Sequence, residues 1–360
     1  MSAEGQQSYA AWTGKGHSPI CMSVDGGGRR SGSSWRPGPP AGPIFQVVVT
    51  AANFVSDFRH ERGLFDRSWD SAVKTATARR SDGWTVEMAL PWADLELSAD
   101  AGPVMGLNLT RWQPRIRANS HWGKPGHAKN NECLGRMEGV DLDFDRYDIG
   151  VESSRLIEGL YYGGNLVPVK LRNDGGRPRK LRIEGESFSA DGSPMVAPPV
   201  SHELRLGSGK DSGVVLRIPV TNRHGRVAGC VRVIDAESGL AFRQITRHTE
   251  LPEDLLSVRL NRRYLYRSDR QLEATLQASI GEGTLARHFV RIKIPRANEA
   301  PLVQDVVMTQ RLAKFPIKVH RLPFGEAAIE FEIRSMATDS VLDSATAKVV
   351  RLVGPFDEAR

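Results

Sequence analysis

The chain has 360 residues, of which 40% are apolar and 25% charged, with a formal net charge of +7. The length accommodates two or three domains of ordinary globular composition. No apolar run reaches the roughly 18–20 residues of a bilayer-crossing helix, which excludes a helical membrane span. Arginine and lysine are interleaved with acids along the whole length, as in Arg79-Arg80-Ser81-Asp82 and Arg182-Ile183-Glu184-Gly185-Glu186. That pattern reads as a solvated basic surface, so no nucleic-acid partner is expected. Cys21, Cys133 and Cys230 are odd in number and far apart, and build neither a disulfide framework nor a CxxC knuckle.

Residues 1–43 read as a disordered leader or a misread start. Gly26-Gly27-Gly28-Arg29-Arg30 and the serine- and proline-rich run after it have almost nothing to bury. The triple glycine lacks the closing Gly-Lys-Ser/Thr of a phosphate loop, and no apolar signal-peptide core is visible.

From Ile44 the pattern is that of strands. Residues 44–50 read as a buried strand, and residues 51–63 as the turn and next strand of a hairpin. Phe65 and Trp69 follow, then an exposed alternating strand, residues 73–80. Asp82-Gly83 is a turn pair, after which Trp84, Val86 and Met88 alternate with Thr85, Glu87 and Ala89 in a half-buried strand that Pro91 ends. Trp92 to Leu97 reads as a short turn or a single helical turn. Met105, Leu107, Leu109 and Arg111 then alternate with Gly106, Asn108, Thr110 and Trp112 in another strand. A closing strand is expected around Leu134-Gly135 and on into Leu142-Asp143-Phe144, with residues 44–150 forming the first domain.

The order of these residues resembles the family nine carbohydrate-binding modules. The resemblance is carried by Asp82-Gly83-Trp84, Glu87, Ala89-Leu90-Pro91-Trp92 and Leu95, then by Gly106 to Arg111, then by Ser120-His121-Trp122. It covers roughly Ile44 to Leu142. It implies a β-sandwich, incomplete at its front because no strands match before Ile44. It also implies a glycan-processing bacterial context outside the cytoplasm, extracellular or periplasmic, and polysaccharide or oligosaccharide ends as partners. In that family a tryptophan some dozen residues before a terminal Phe-Gly lies in the sugar slot. Trp122 occupies that position, twelve residues before Leu134-Gly135.

A sugar presents apolar C–H faces ringed by hydroxyls, so its site needs an indole plane edged by donors and acceptors. The candidate set is therefore Trp122 with Arg111, His121 and Trp112, whereas Trp84 and Trp92 read as core. Other constellations are weaker. Asp141, Asp143, Asp145 and Glu152 match part of a calcium loop, but Arg146 stands where that loop needs glycine, and an ordinary strand with wet aspartates fits as well. Calcium is left without assigned ligands, and no other cofactor is indicated. His121, His127 and Cys133 follow no zinc knuckle spacing. Neither a Gly-x-Ser-x-Gly elbow nor an HExxH pair occurs.

Beyond residue 150 the chain breaks into short alternating strands separated by turns such as Asn173-Asp174-Gly175-Gly176 and Glu237-Ser238-Gly239. They predict an immunoglobulin-like sandwich over 151–250 and another over 251–355, with few hydrophobic contacts crossing Leu251 to Leu255. Two short echoes, residues 169–173 with 258–261 and 216–219 with 292–295, favour a tandem pair. The expected fold is all-β throughout. The expected function is non-catalytic carbohydrate binding as an accessory part of a glycan-processing protein. The alternatives are a structural or adhesion protein without a sugar site, and the tail of a glycoside hydrolase.

Overall fold

A computed structural model describes residues 7–14, 20–25, 43–61, 64–81, 83–97, 105–113, 117–123, 134–138, 142–143, 146–153 and 159–353. The described chain is almost entirely antiparallel β-structure, arranged as three sandwiches, each with its own apolar core. No described helix is long and apolar enough to cross a membrane.

The first sandwich contains β1 (Gln7–Gly14), β2 (Ile20–Asp25), β3 (Ile44–Val49), β4 (Val55–Glu61), β5 (Leu64–Asp66), β6 (Trp69–Asp70), β7 (Lys74–Arg80), β8 (Gly83–Pro91), β9 (Met105–Gln113), β10 (Ala118–His121) and β11 (Gly135–Met137). One sheet runs β1-β8-β7; the other runs β10-β9-β2-β3-β4-β5, with β11 also on β9. The alternation read from sequence holds. Trp84, Val86 and Met88 point inward with Leu90, and meet Phe45, Val47 and Val49 of β3 and Met105 of β9. Pro91 ends β8, and Trp92–Leu95 is a single 3-10 turn.

The leader departs from expectation. β1 pairs with β8 along its length, and β2 lies between β3 and β9, in the middle of the larger sheet. The front strands that seemed missing are therefore supplied by residues 7–14 and 20–25. Their separation by glycine-, serine- and proline-rich sequence hides them, because strand formation depends on the partners a segment meets and those partners lie far along the chain. The closing strand is also shorter than read: it stops at Met137, and Leu142 and Asp143 lie outside it.

The second sandwich contains β12 (Ile149–Glu152), β13 (Gly163–Asn173), β14 (Arg179–Ser189), β15 (Val200–Leu206), β16 (Asp211–Val220), β17 (Gly225–Asp235) and β18 (Ala241–Leu251). Its sheets are β12-β13-β16 and β15-β14-β17-β18-β6, the last strand coming from the segment of the first sandwich. Tyr147 belongs to the first core and Ile149 to the second, so the junction falls just before the expected residue 151. The third contains β19 (Leu256–Leu260), β20 (Tyr264–Leu265), β21 (Gln271–Ala278), the one-turn helix α1 (Glu282–Leu285), β22 (His288–Arg296), β23 (Glu299–Val306), β24 (Leu312–Lys318), β25 (Gly325–Ser335) and β26 (Val341–Arg351). Its sheets are β19-β21-β24 and β20-β26-β25-β22-β23.

These two sandwiches repeat one topology. In chain order β12 to β18 correspond to β19, β21, β22, β23, β24, β25 and β26, with the same neighbours in both sheets. The last hairpin repeats at an offset of 100 residues. Gly225 and Gly325 enter it with φ of 85° and 89°, and a bulge follows Val233 in one and Ile333 in the other. The Asp235 amide donates to the Leu240 carbonyl at 2.8 Å, as Ser335 does to Ser340 at 3.0 Å. The sequence echoes do not mark this repeat, because 169–173 lies on β13 while 258–261 runs along β19, whose counterpart is β12. At the junction between the two, Leu251 belongs to the second core and Leu255 to the third. Tyr162 packs on the third core, Thr284 Oγ1 accepts from the Gly164 amide at 2.7 Å, and Arg311 stacks 3.7 Å from the Tyr161 ring centroid.

Candidate functional site

The Trp122 region is built on β9. One edge of β9 carries β2; the other carries β10 opposite residues 110–113 and β11 opposite residues 105–107. Trp122 follows directly on β10, at the end of that short strand. Its amide donates to the Leu109 carbonyl at 2.9 Å, and the next amide, of Gly123, donates to Asn108 Oδ1 at 3.0 Å. Asn108 is buried, so this amide-to-carboxamide bond fixes the turn from inside. The indole lies against β11: a Cβ placed on Gly135 would stand 2.6 Å from its Cζ3. Trp122 is 55% exposed, while Trp84 is 2% exposed in the core, as read from sequence.

The four candidate residues do not form one cluster. Register places Ser120 opposite Arg111, His121 opposite Thr110 and Asn119 opposite Trp112. Directly opposed residues share a sheet face and alternate along the strand. Arg111 therefore lies on the face of Leu107 and Leu109, the side on which Gly135 meets Trp122. Trp112, which is 39% exposed, and His121 lie on the other face, where His121 Nδ1 is 3.2 Å from Thr110 Oγ1. The pair on one face is Trp122 with Arg111, at a diagonal that long side chains span. On the neighbouring β2, the residues opposite β9 from Leu107 to Arg111 are Val24, Ser23, Met22, Cys21 and Ile20, none of them aromatic.

Of the calcium set, Asp141 and Asp145 lie outside the described residues. Asp143 pairs with Arg146 at 2.9 Å, and Glu152 sits on β12 beside Lys170, at 3.7 Å, in the second sandwich. His127 and Cys133 of the zinc set also lie outside the described residues. No cluster of metal-ligating side chains occurs among the described residues.

Sequence reasoning missed the seam between the first two sandwiches. The two-residue strand β6 pairs with β18, Asp70 opposite Thr246 and Trp69 opposite Arg247, which adds a fifth strand to the second sandwich's larger sheet. Glu96 accepts from Arg59 of β4 at 2.9 Å and pairs with Arg243 of β18; Arg247 reaches Asp66 at 3.4 Å. Burial alone would raise the Glu96 carboxyl, but Arg243 and Arg59 bring it below the usual carboxylate range. Asp94, in the 3-10 turn, is 0% exposed and accepts from the Ala72 amide at 2.9 Å. Burial pushes its carboxyl up to about 7, against the pull of that amide and of Arg243. The available signal was on β18, where Arg243 and Arg247 flank Ile245 at inward-facing positions.

No family model matches the chain, and no curated protein matches it. Among similar solved structures is the transglutaminase of red sea bream, 8% identical over 93% of this chain and 57% of that one, with a TM-score of 0.26. Another is the Bacteroides uniformis β-glucuronidase 2, in covalent complex with a cyclophellitol aziridine. It is 10% identical over 70% of this chain and 26% of that one, with a TM-score of 0.23. At these TM-scores neither likeness bears on fold or activity.

Proposed function

We propose that the chain is a non-catalytic glycan-binding protein, and that the β9–β11 edge of its first sandwich presents Trp122 as the sugar platform. The observation that carries this reading is the exposure of the Trp122 indole, 55%, on a backbone hydrogen-bonded on both sides of it. An apolar plane held rigidly in water loses little conformational freedom on stacking against a pyranose. Arg111, on the same face, supplies directed donors for ring hydroxyls. His121 and Trp112 belong to the opposite face and drop out of this platform. The resemblance over residues 82–122 supports polysaccharide or oligosaccharide ends as the partner and an extracellular or periplasmic setting.

The test is an affinity screen of the full chain against oligosaccharides differing in their reducing and non-reducing ends, repeated with Trp122→Ala. Binding that depends on one end and on Trp122 supports the reading; no binding by the unaltered chain removes it. A structural or adhesion role is the second reading. It is favoured by the β6–β18 pairing and the Glu96 ion pairs, which join two sandwiches into one continuous body. That role predicts no sugar dependence at all.

A further inference from the structure

Where β6 extends the larger sheet of the second sandwich, its outer face becomes the floor of a cleft of about 360 Å³. Register gives its layout. Glu186, Cys230, Thr246 and Asp70 form one cross-strand row over β14, β17, β18 and β6. Phe188, Ala228 and His248 form the row on one side, and Arg232 stands opposite Gln244 on the other. The middle of the floor is thus made of the small residues Ala228, Cys230 and Thr246. Larger side chains rise around them: the Phe188 ring at one end, Arg232 and Gln244 at the other, and Asp70 on the wall that the first sandwich contributes.

We propose that this cleft binds one unit of a neutral saccharide, at a site separate from Trp122. Its volume lies at the low end of small-molecule sites, and such sites favour domain interfaces. The lining combines apolar surface with groups that suit hydroxyls: the Gln244 carboxamide donates and accepts, Thr246 does both, and the Asp70 carboxylate accepts. Charge selects against an acidic sugar. Two carboxylates, Asp70 and Glu186, line the cleft against one guanidinium, Arg232, already bonded to Glu186 at 2.9 Å. His248 Nε2 sits 3.2 Å from Asp70, while its Nδ1 is buried without a hydrogen-bond partner among the described residues, which leaves a polar valence at the site. The third sandwich makes the contrast. At the offset of 100 residues Cys230 and Arg232 become Glu330 and Glu332, and Lys293 crosses that face to bond Glu332 at 2.6 Å. Among the described residues no antiparallel strand equivalent to β6 walls it, and Lys293, Glu330 and Glu332 pair across the floor.

The experiment is saturation-transfer NMR on the full chain carrying Trp122→Ala, so that the platform is silent, with methyl glucoside, methyl galactoside and methyl xyloside as neutral probes and glucuronate as the anionic one. At least one neutral probe should receive saturation and glucuronate should not. Ala228→Phe, which fills the floor, should abolish the transfer while circular dichroism stays unchanged. Gln244→Ala, at a partly exposed position, should weaken it about tenfold, and decides the matter if the filled variant does not fold. No transfer to any neutral probe, equal transfer to glucuronate, or transfer unaffected by Gln244→Ala overturns the proposal. Trp122→Ala losing all sugar binding would retain the platform and remove the cleft, whereas binding lost only with the cleft variants would do the reverse.

Discussion

Trp122 lies across Gly135 so closely that a Cβ on the glycine would stand 2.6 Å from the indole Cζ3. The glycine thus sets the height of the platform, because any side chain there lifts the ring away from β11 or turns it. Gly135→Ala should weaken sugar binding several-fold and shift tryptophan fluorescence. Its unfolding midpoint should stay nearly unchanged, since Gly135 lies on a three-residue edge strand. Unaltered affinity would mean that the ring's seat does not matter for binding.

Trp84 is the opposite kind of tryptophan. It is buried in the first core with Phe45 and Met105, and truncation would leave a large void there. Trp84→Ala should cost about 3–5 kcal/mol in denaturant unfolding monitored on the first sandwich. A loss under 1 kcal/mol would contradict its placement in the core.

The pH dependence of stability should carry the mark of Asp94. Its folded carboxyl is raised to about 7 from an ordinary 3.8, so the folded state holds a proton that the unfolded chain has released. Stability from this group is therefore full below about pH 4, falls as the pH rises to about 7, and levels off above. Asp57 shifts in the same direction, chiefly through burial. Denaturation at pH 5 and pH 8 should show the native chain less stable at pH 8. Asp94→Asn, which keeps an acceptor for the Ala72 amide, should show a smaller difference. Parallel losses in the two proteins would contradict the assignment.

Glu96 holds an arginine from each of two sandwiches, Arg59 and Arg243. Arg243→Ala leaves Glu96 with Arg59 and removes the ion pair that crosses from the first sandwich to β18. Arg243→Ala should thus loosen the seam and expose the 64–72 segment to limited proteolysis, while the third sandwich stays resistant. Cleavage patterns identical to those of the unaltered chain would show that the seam is held by β6 pairing alone.

Much of the fold was legible because period-two alternation reports directly on burial: Trp84, Val86 and Met88 read as inward on that basis, whereas Trp122 was singled out only by its place in the family resemblance. What escaped reading is non-local. β1 and β2 are strands because β8, β3 and β9 offer them partners, and that is not written in their own turn-rich surroundings. β6 is two residues long and exists only because β18 has an open edge. Arg111 and Trp112 are neighbours in sequence, so they seemed to serve one site; the pleat sends adjacent residues to opposite faces, which divides the set. The tandem repeat shows in φ signs, bulges and turn bonds at Gly225 and Gly325, where geometry constrains the chain while side chains remain free to differ.

The central claim is tested most directly by calorimetric titration of the full chain and of Trp122→Ala with the oligosaccharide that binds best in the end-group screen. The account predicts a loss of about tenfold to a hundredfold in affinity, equivalent to ~1.4–2.8 kcal/mol, with the unfolding midpoint unchanged because the exposed indole contributes little to the core. Equal affinities in the two proteins, or a loss that tracks a fall in fold stability, would contradict it.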